Sequence, residues 1–181
     1  TGDIVMYDHK WTEVNVEPTP GSFVDNGYMP QWPFGHGLSY TTFAYSDFKI
    51  SADTLVGDAK LTVSVSVKNT GAVDGDEVVQ LYSRDMFASV VPNLKRLRGF
   101  ERVAIKAGES KTVTFEITKA DLSFIKEDQA AHTFKRVTED GDFKLMVGGS
   151  SNFDLVAPEH PWTAAPFRTY QGALNFYYKN K

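Results

Sequence analysis

Apolar and polar residues alternate with a period of two in several short stretches of the chain. In KLTVSVSVKNTG, Leu61, Val63, Val65 and Val67 fall on one side, and Thr62, Ser64, Ser66 and Lys68 on the other. That is the pattern of a half-buried β-strand. Asn69-Thr70-Gly71 ends it. VVQLYSR sets Val79 and Leu81 against Val78, Gln80 and Tyr82; KTVTFEIT sets Val113, Phe115 and Ile117 against Thr112, Thr114 and Glu116; GDFKLMVGGSS carries Phe143, Leu145 and Val147 inward. YSDFKIS, RLRGFERVAI and HTFKRV read as further strands, while KADLSFI allows one helical turn with Asp121 near its start. About seven short strands separated by turn signals, with no long 3.6-period stretch among them, predict an all-β antiparallel sandwich from about Tyr45 to Leu155.

The two ends follow no such period. Residues 1–40 hold four prolines and scattered rings (Tyr7, Trp11, Phe23, Tyr28, Trp32 and Phe34), which suits an extended, irregular leader. Such a leader has no core of its own and is expected to lie against the sandwich through its rings. The tail from 157 to 181 carries Trp162, Phe167, Tyr170, Phe176, Tyr177 and Tyr178, too many rings to leave in water, and is expected to dock on the sandwich or on a neighbour. The expected division is thus a leader and joining segment over 1–43, a sandwich over 44–156, and an aromatic tail over 157–181.

The 181 residues suffice for one domain with a real core. A formal charge of −4 lacks the basic excess that phosphate backbones call for, so nucleic acid is not expected as a partner. No apolar run approaches the roughly 20 residues of a membrane span, and TGDIVMYDHKWTEV has no basic region followed by an apolar one, so no membrane partner is expected either. With no cysteine there are no disulfides, thiolate metal sites or cysteine nucleophiles.

The blocks WPFGHGLSYTTFAYSDFKIS, VSVSVKNTGAVDGDEVVQLYSRD, ASVVPNLKRLRGFERVAIKAGESKTVTFEITKADLSF and GDFKLMVGGSS follow one another between Trp32 and Ser151. In that order they resemble the C-terminal fibronectin type III-like domain of glycoside hydrolase family 3, the β-glucosidase and β-xylosidase group. TGDIVMYDHKW is similar to the end of that family's preceding α/β domain. The resemblance implies a fragment of a larger enzyme, partnered by the catalytic domains of the same polypeptide, with carbohydrate as a further partner and a periplasmic or secreted location.

Retaining glycosidases hold a nucleophile and an acid/base carboxylate about 5–5.5 Å apart. The resemblance assigns the nucleophilic aspartate to a Ser-Asp-Trp context in an N-terminal barrel, and the acid/base to the second domain or beside it; neither segment is in this sequence. Ser46-Asp47-Phe48 imitates the motif but falls inside a predicted strand, so no catalytic residue is expected here. His9, His36, His132 and His160 are scattered, without the spacing that places two ligands on one helical face, and VGGSS closes a strand rather than opening a phosphate-binding helix. No metal and no cofactor are expected.

Two stretches remain as candidate contacts. In PQWPFGHGLSYTTFAYS, Gly35 and Gly37 flank His36, and Trp32, Phe34, Tyr40 and Phe43 suit a seam between domains. The loop Ser83–Gly99 holds Met86, Phe87, Lys95, Arg96 and Arg98, a mixture suited to a domain contact or the rim of a sugar site. At Val91 it departs from the family, which often has a basic residue before the loop proline. Trp32, Phe34, His36, Met86, Phe87, Arg96 and Arg98 are therefore the expected inter-domain or substrate-rim contacts. Three functions fit: an accessory domain of a family 3 glycosidase, a carbohydrate-binding module using the end aromatics, and an immunoglobulin-like interaction domain.

Overall fold

A computed structural model describes residues 32–93 and 95–151, and the backbone of two further strands at 165–170 and 173–176. The described strands are β1 (Phe43–Ile50), β2 (Leu61–Asn69), β3 (Gly75–Asp85), β4 (Arg96–Ile105), β5 (Ser110–Ile117), β6 (Phe124–Asp128), β7 (Thr133–Val137), β8 (Asp142–Gly148), β9 (Ala165–Tyr170) and β10 (Ala173–Phe176). They form one antiparallel sheet in the order β1-β2-β5, a second in the order β10-β9-β8-β3-β4, and a separate β6-β7 hairpin. The predicted helical turn is a single 3₁₀ turn, Ala120–Leu122.

The alternating rows do what their period dictates. Leu61, Val63, Val65 and Val67 of β2 and Val113, Phe115 and Ile117 of β5 meet Val79 and Leu81 of β3 and Phe143, Leu145 and Val147 of β8 in one buried cluster. Burial of such a side chain contributes roughly 1.5–3 kcal/mol, so these facing rows supply most of the drive to close the sandwich. Asn69 does more than end a strand. Its amide donates to the carbonyls of Val73 (2.8 Å) and Ile105 (2.9 Å) and accepts from Thr41 Oγ1 (2.6 Å) and Gly71 N (3.0 Å). A fully buried polar group is thereby satisfied while it ties β2 to the end of β4.

The strand prediction needs four corrections. β6 lies where only a helical turn was expected to extend, and β9 and β10 lie in a stretch where the sequence predicts no strand; β9 pairs with β8 and extends the second sheet. β1 begins at Phe43, two residues before the expected start, and Phe43 packs, partly buried, against the sandwich core. Finally, Gln80 and Tyr82, on the polar side of the β3 alternation, are as buried as the core. A segment from the N-terminal side is bonded onto this face at Gln80.

Candidate functional site

Gln80 and Tyr82 of β3 and Met146 of β8 share the outer face of the five-stranded sheet, with Tyr82 and Met146 directly paired in register. All three are buried, and the 33–35 turn is bonded onto this face at Gln80. Gln80 Nε2 donates to the carbonyls of Gly35 (2.9 Å) and Gly149 (2.8 Å), its Oε1 accepts from the Tyr82 hydroxyl, and Ser151 N donates to Phe34 O at 2.8 Å. Gly35 is required here on two grounds: its φ is +78°, and a Cβ would stand 2.0 Å from Gln80 Oε1. Fixed in this way, the joining segment turns its rings outward. Trp32 is 59% exposed and stacks on His36 at 4.7 Å between ring centroids, Phe34 is 46% exposed, and Phe100 of β4, opposite Gln80 in register, is 69% exposed.

A second feature lies at the C-terminal end of β3. A cleft of about 250 Å³ opens between the 85–93 loop and the 122–125 segment, floored by Ser83, Arg96 and Arg98. Arg98 Nε donates to Ser83 Oγ at 2.6 Å. The loop is held by Glu139, whose carboxylate accepts from Ser89 N (2.8 Å), from Ser89 Oγ, and from Lys126 Nζ (2.9 Å). Those bonds hold the Glu139 carboxyl down at about 2. Asp85 behaves oppositely: partial burial, opposed by the Phe87 N–H and reinforced by the nearby Glu139 charge, pushes its carboxyl up to about 6. The loop also reaches the stretch just after β8, because Lys95 Nζ donates to the Ser151 carbonyl.

The expected contact residues therefore separate into two groups. Trp32, Phe34 and His36 sit on the outer sheet face, while Arg96 and Arg98 line the cleft; Met86 is half-buried at its loop and Phe87 is exposed at the tip. Gln80 and Tyr82, which fix the joining segment, carry no signal in the sequence apart from being polar-side residues of unusual size. Asp47 occupies a β-bulge in β1 with φ +51°, its carboxylate accepting from its neighbour Ser46 Oγ at 3.0 Å. Its surroundings are solvent and the strand edge. His132 lies in the β6-β7 turn at φ +50°; His9, His160 and Trp162 lie outside the described residues, as do the rings of the tail. Among the described residues no group of three or more metal-ligating side chains is gathered, and no helix is long and apolar enough to cross a membrane.

Residues 77–151 match the model of the fibronectin type III-like domain. A β-xylosidase of Formosa agariphila is 47% identical over 134 residues, 74% of this chain and 18% of that protein. The periplasmic β-glucosidase of Salmonella typhimurium is 41% identical over 71% of this chain and 16% of its own length. Among solved structures, a Listeria innocua β-glucosidase in complex with gluconolactone superposes with a TM-score of 0.69 at 33% identity, covering 91% of this chain and 22% of that one. A Bifidobacterium adolescentis GH3 β-glucosidase gives 0.62 at 30% identity over 76% of this chain and 18% of its own. The chain thus spans less than a quarter of each of these relatives.

Proposed function

The chain carries the fibronectin type III-like domain of a family 3 glycoside hydrolase, and from that premise we propose that it serves as the accessory domain of a β-glycosidase, clamping the catalytic domains of the same polypeptide. The observation that carries this reading is the outer face of the five-stranded sheet. A segment arriving from the N-terminal side is bonded onto that face, and Trp32 and Phe34 of the segment and Phe100, opposite Gln80 in register, are left exposed. Exposed aromatic area of this kind is what a domain seam buries. Trp32, Phe34 and His36 are accordingly assigned to the contact with the catalytic domains, and Met86, Phe87, Arg96 and Arg98 to the rim of the substrate entrance. The parent activity proposed is hydrolysis of terminal β-linked glucosides or xylosides, and the proposed location is the periplasm or the exterior.

The test has two arms. Purified alone, the 181-residue chain should leave aryl β-glucosides and β-xylosides untouched; turnover above buffer overturns the non-catalytic reading. Replacing Trp32, Phe34 and Phe100 by Ser in the parent polypeptide should lower its melting temperature more than the same changes lower that of the isolated chain. Equal losses in both would sink the docking assignment.

A second reading, a carbohydrate-binding module, is favoured by one observation: the exposed stack of Trp32 on His36 offers a flat ring to the C–H face of a sugar. It requires saturable binding of cello-oligosaccharides or laminarin that disappears in Trp32→Ala.

A further inference from the structure

The cleft at the far end of β3 is built differently from the aromatic seam. Its volume of about 250 Å³ lies just below the ~300–1,000 Å³ of sites for drug-sized ligands, which leaves room for one ring-sized molecule. Its walls are fixed in advance. Glu139 clamps the loop wall through Ser89 and is itself held by Lys126; the opposite wall is held by Ser123, which donates to Ala120 O and accepts from Arg136 Nη1 at 3.1 Å. Preformed walls remove much of the ordering cost of binding.

The lining is mixed in chemistry. Val91 and Pro92 of the loop wall and Phe124 and Ile125 of the opposite wall contribute apolar residues; Asp85 and Asn93 join the arginine floor as polar ones. Its charges are also mixed, since the guanidinium of Arg98 and the carboxylates of Glu139 and Asp142 all act on Asp85. A site of mixed sign favours neither a free anion nor a free cation. It suits a neutral ligand with an apolar face and a rim of hydroxyls that can both donate and accept.

We propose that this cleft binds a single neutral pyranose unit, its C–H face against Phe124 and Ile125 and its hydroxyls directed to Asp85, Asn93 and Arg96. The choice of a sugar rests on the reading of the chain as part of a saccharide-processing polypeptide; the cleft itself is independent of the seam. The full chain, labelled with ¹⁵N, is titrated with methyl β-glucoside, methyl β-xyloside and cellobiose, and with sodium sulfate as the anionic control. Saturable shifts are expected at the amides of Ser83, Asp85, Asn93 and Ser123, with a dissociation constant on the order of millimolar. Arg96→Ala, an exposed position whose loss leaves the fold intact, and Phe124→Ala should each weaken binding at least tenfold while amides of the three-stranded sheet stay in place. Absence of saturable shifts with all three sugars overturns the proposal. So do sugar shifts centred on Trp32 and His36, or a stronger response of the cleft to sulfate. Absent sugar shifts or a stronger sulfate response leave the docking reading untouched, since that is tested by stability in the parent polypeptide; shifts centred on Trp32 and His36 favour the carbohydrate-binding reading instead.

Discussion

The two sheets expose opposite kinds of outer face. On the three-stranded sheet the outward positions include Ser46, Ser66 and Thr112 in one row and Lys49, Ser64 and Thr114 in the next, mostly short hydroxyls, exposed or half-buried. On the five-stranded sheet the corresponding positions include Gln80, Tyr82 and Met146, all buried, with the joining segment bonded to Gln80. Both sheets obey the same alternation, and both bury their aliphatic rows. Only the size and chemistry of the off-core residues differ. Short hydroxyls mark a face evolved for water, whereas an amide, a phenol and a thioether side by side mark a face that another piece of chain covers. The covered face is where Phe34 and Phe100 are exposed, and the proposed docking surface is placed on that side for this reason.

That contrast can be broken most forcefully at Tyr82. Although it lies on the nominally outer face, Tyr82→Ala should cost about 3–5 kcal/mol, as a core aromatic does, because the ring is fully buried. A urea denaturation midpoint close to wild type would mean that the joining segment is not seated there. Next comes Gln80→Ala, which strips partners from two carbonyls and the Tyr82 hydroxyl and should cost about 1–3 kcal/mol. Gly35→Ala should show a similar loss through its positive φ and the clash with Gln80, and the two losses should fall short of additive in the double variant.

A smaller effect is expected from pH at the cleft. Asp85 titrates near 6 when folded and near ~3.9 unfolded, so the native state takes up its proton first and stability falls as pH rises from about 4 to 6. Glu139 acts in the opposite sense. Its stabilisation is present above about 4.3 and is lost as pH falls towards 2. Thermal melts across pH 2–7 should therefore peak between these limbs, and Asp85→Asn should flatten only the upper one. The smallest change belongs to the water-facing sheet, where Ser64→Ala should stay within about 0.5 kcal/mol. A loss there comparable to that of Gln80→Ala would erase the contrast between the faces.

The sandwich core was legible because a period of two survives in β2, β3, β5 and β8 whatever lies outside them. The burial of Gln80 and Tyr82 was not, since alternation alone assigns them to solvent and the partner that Gln80 bonds, Gly35, lies 45 residues upstream. β6 escaped because Phe124–Asp128 is short and half charged, with no alternation to separate it from the preceding turn. The loop side of the cleft could be suspected from Arg96 and Arg98. Its other wall, 122–125, carries no chemical signature and becomes visible only when the hairpin packs beside β3. Asp47 shows the converse: a motif that looks catalytic in sequence is, in space, the bulge of an edge strand.

Hydroxyl-radical footprinting of the isolated chain and of the parent polypeptide, compared residue by residue, tests the docking face most directly. Trp32, Phe34 and Phe100 should be oxidised readily in the isolated chain and protected several-fold in the parent, while peptides covering β2 and β5 react alike in both. Equal oxidation of the three rings in the two samples, or protection confined to β2 and β5, would contradict the account.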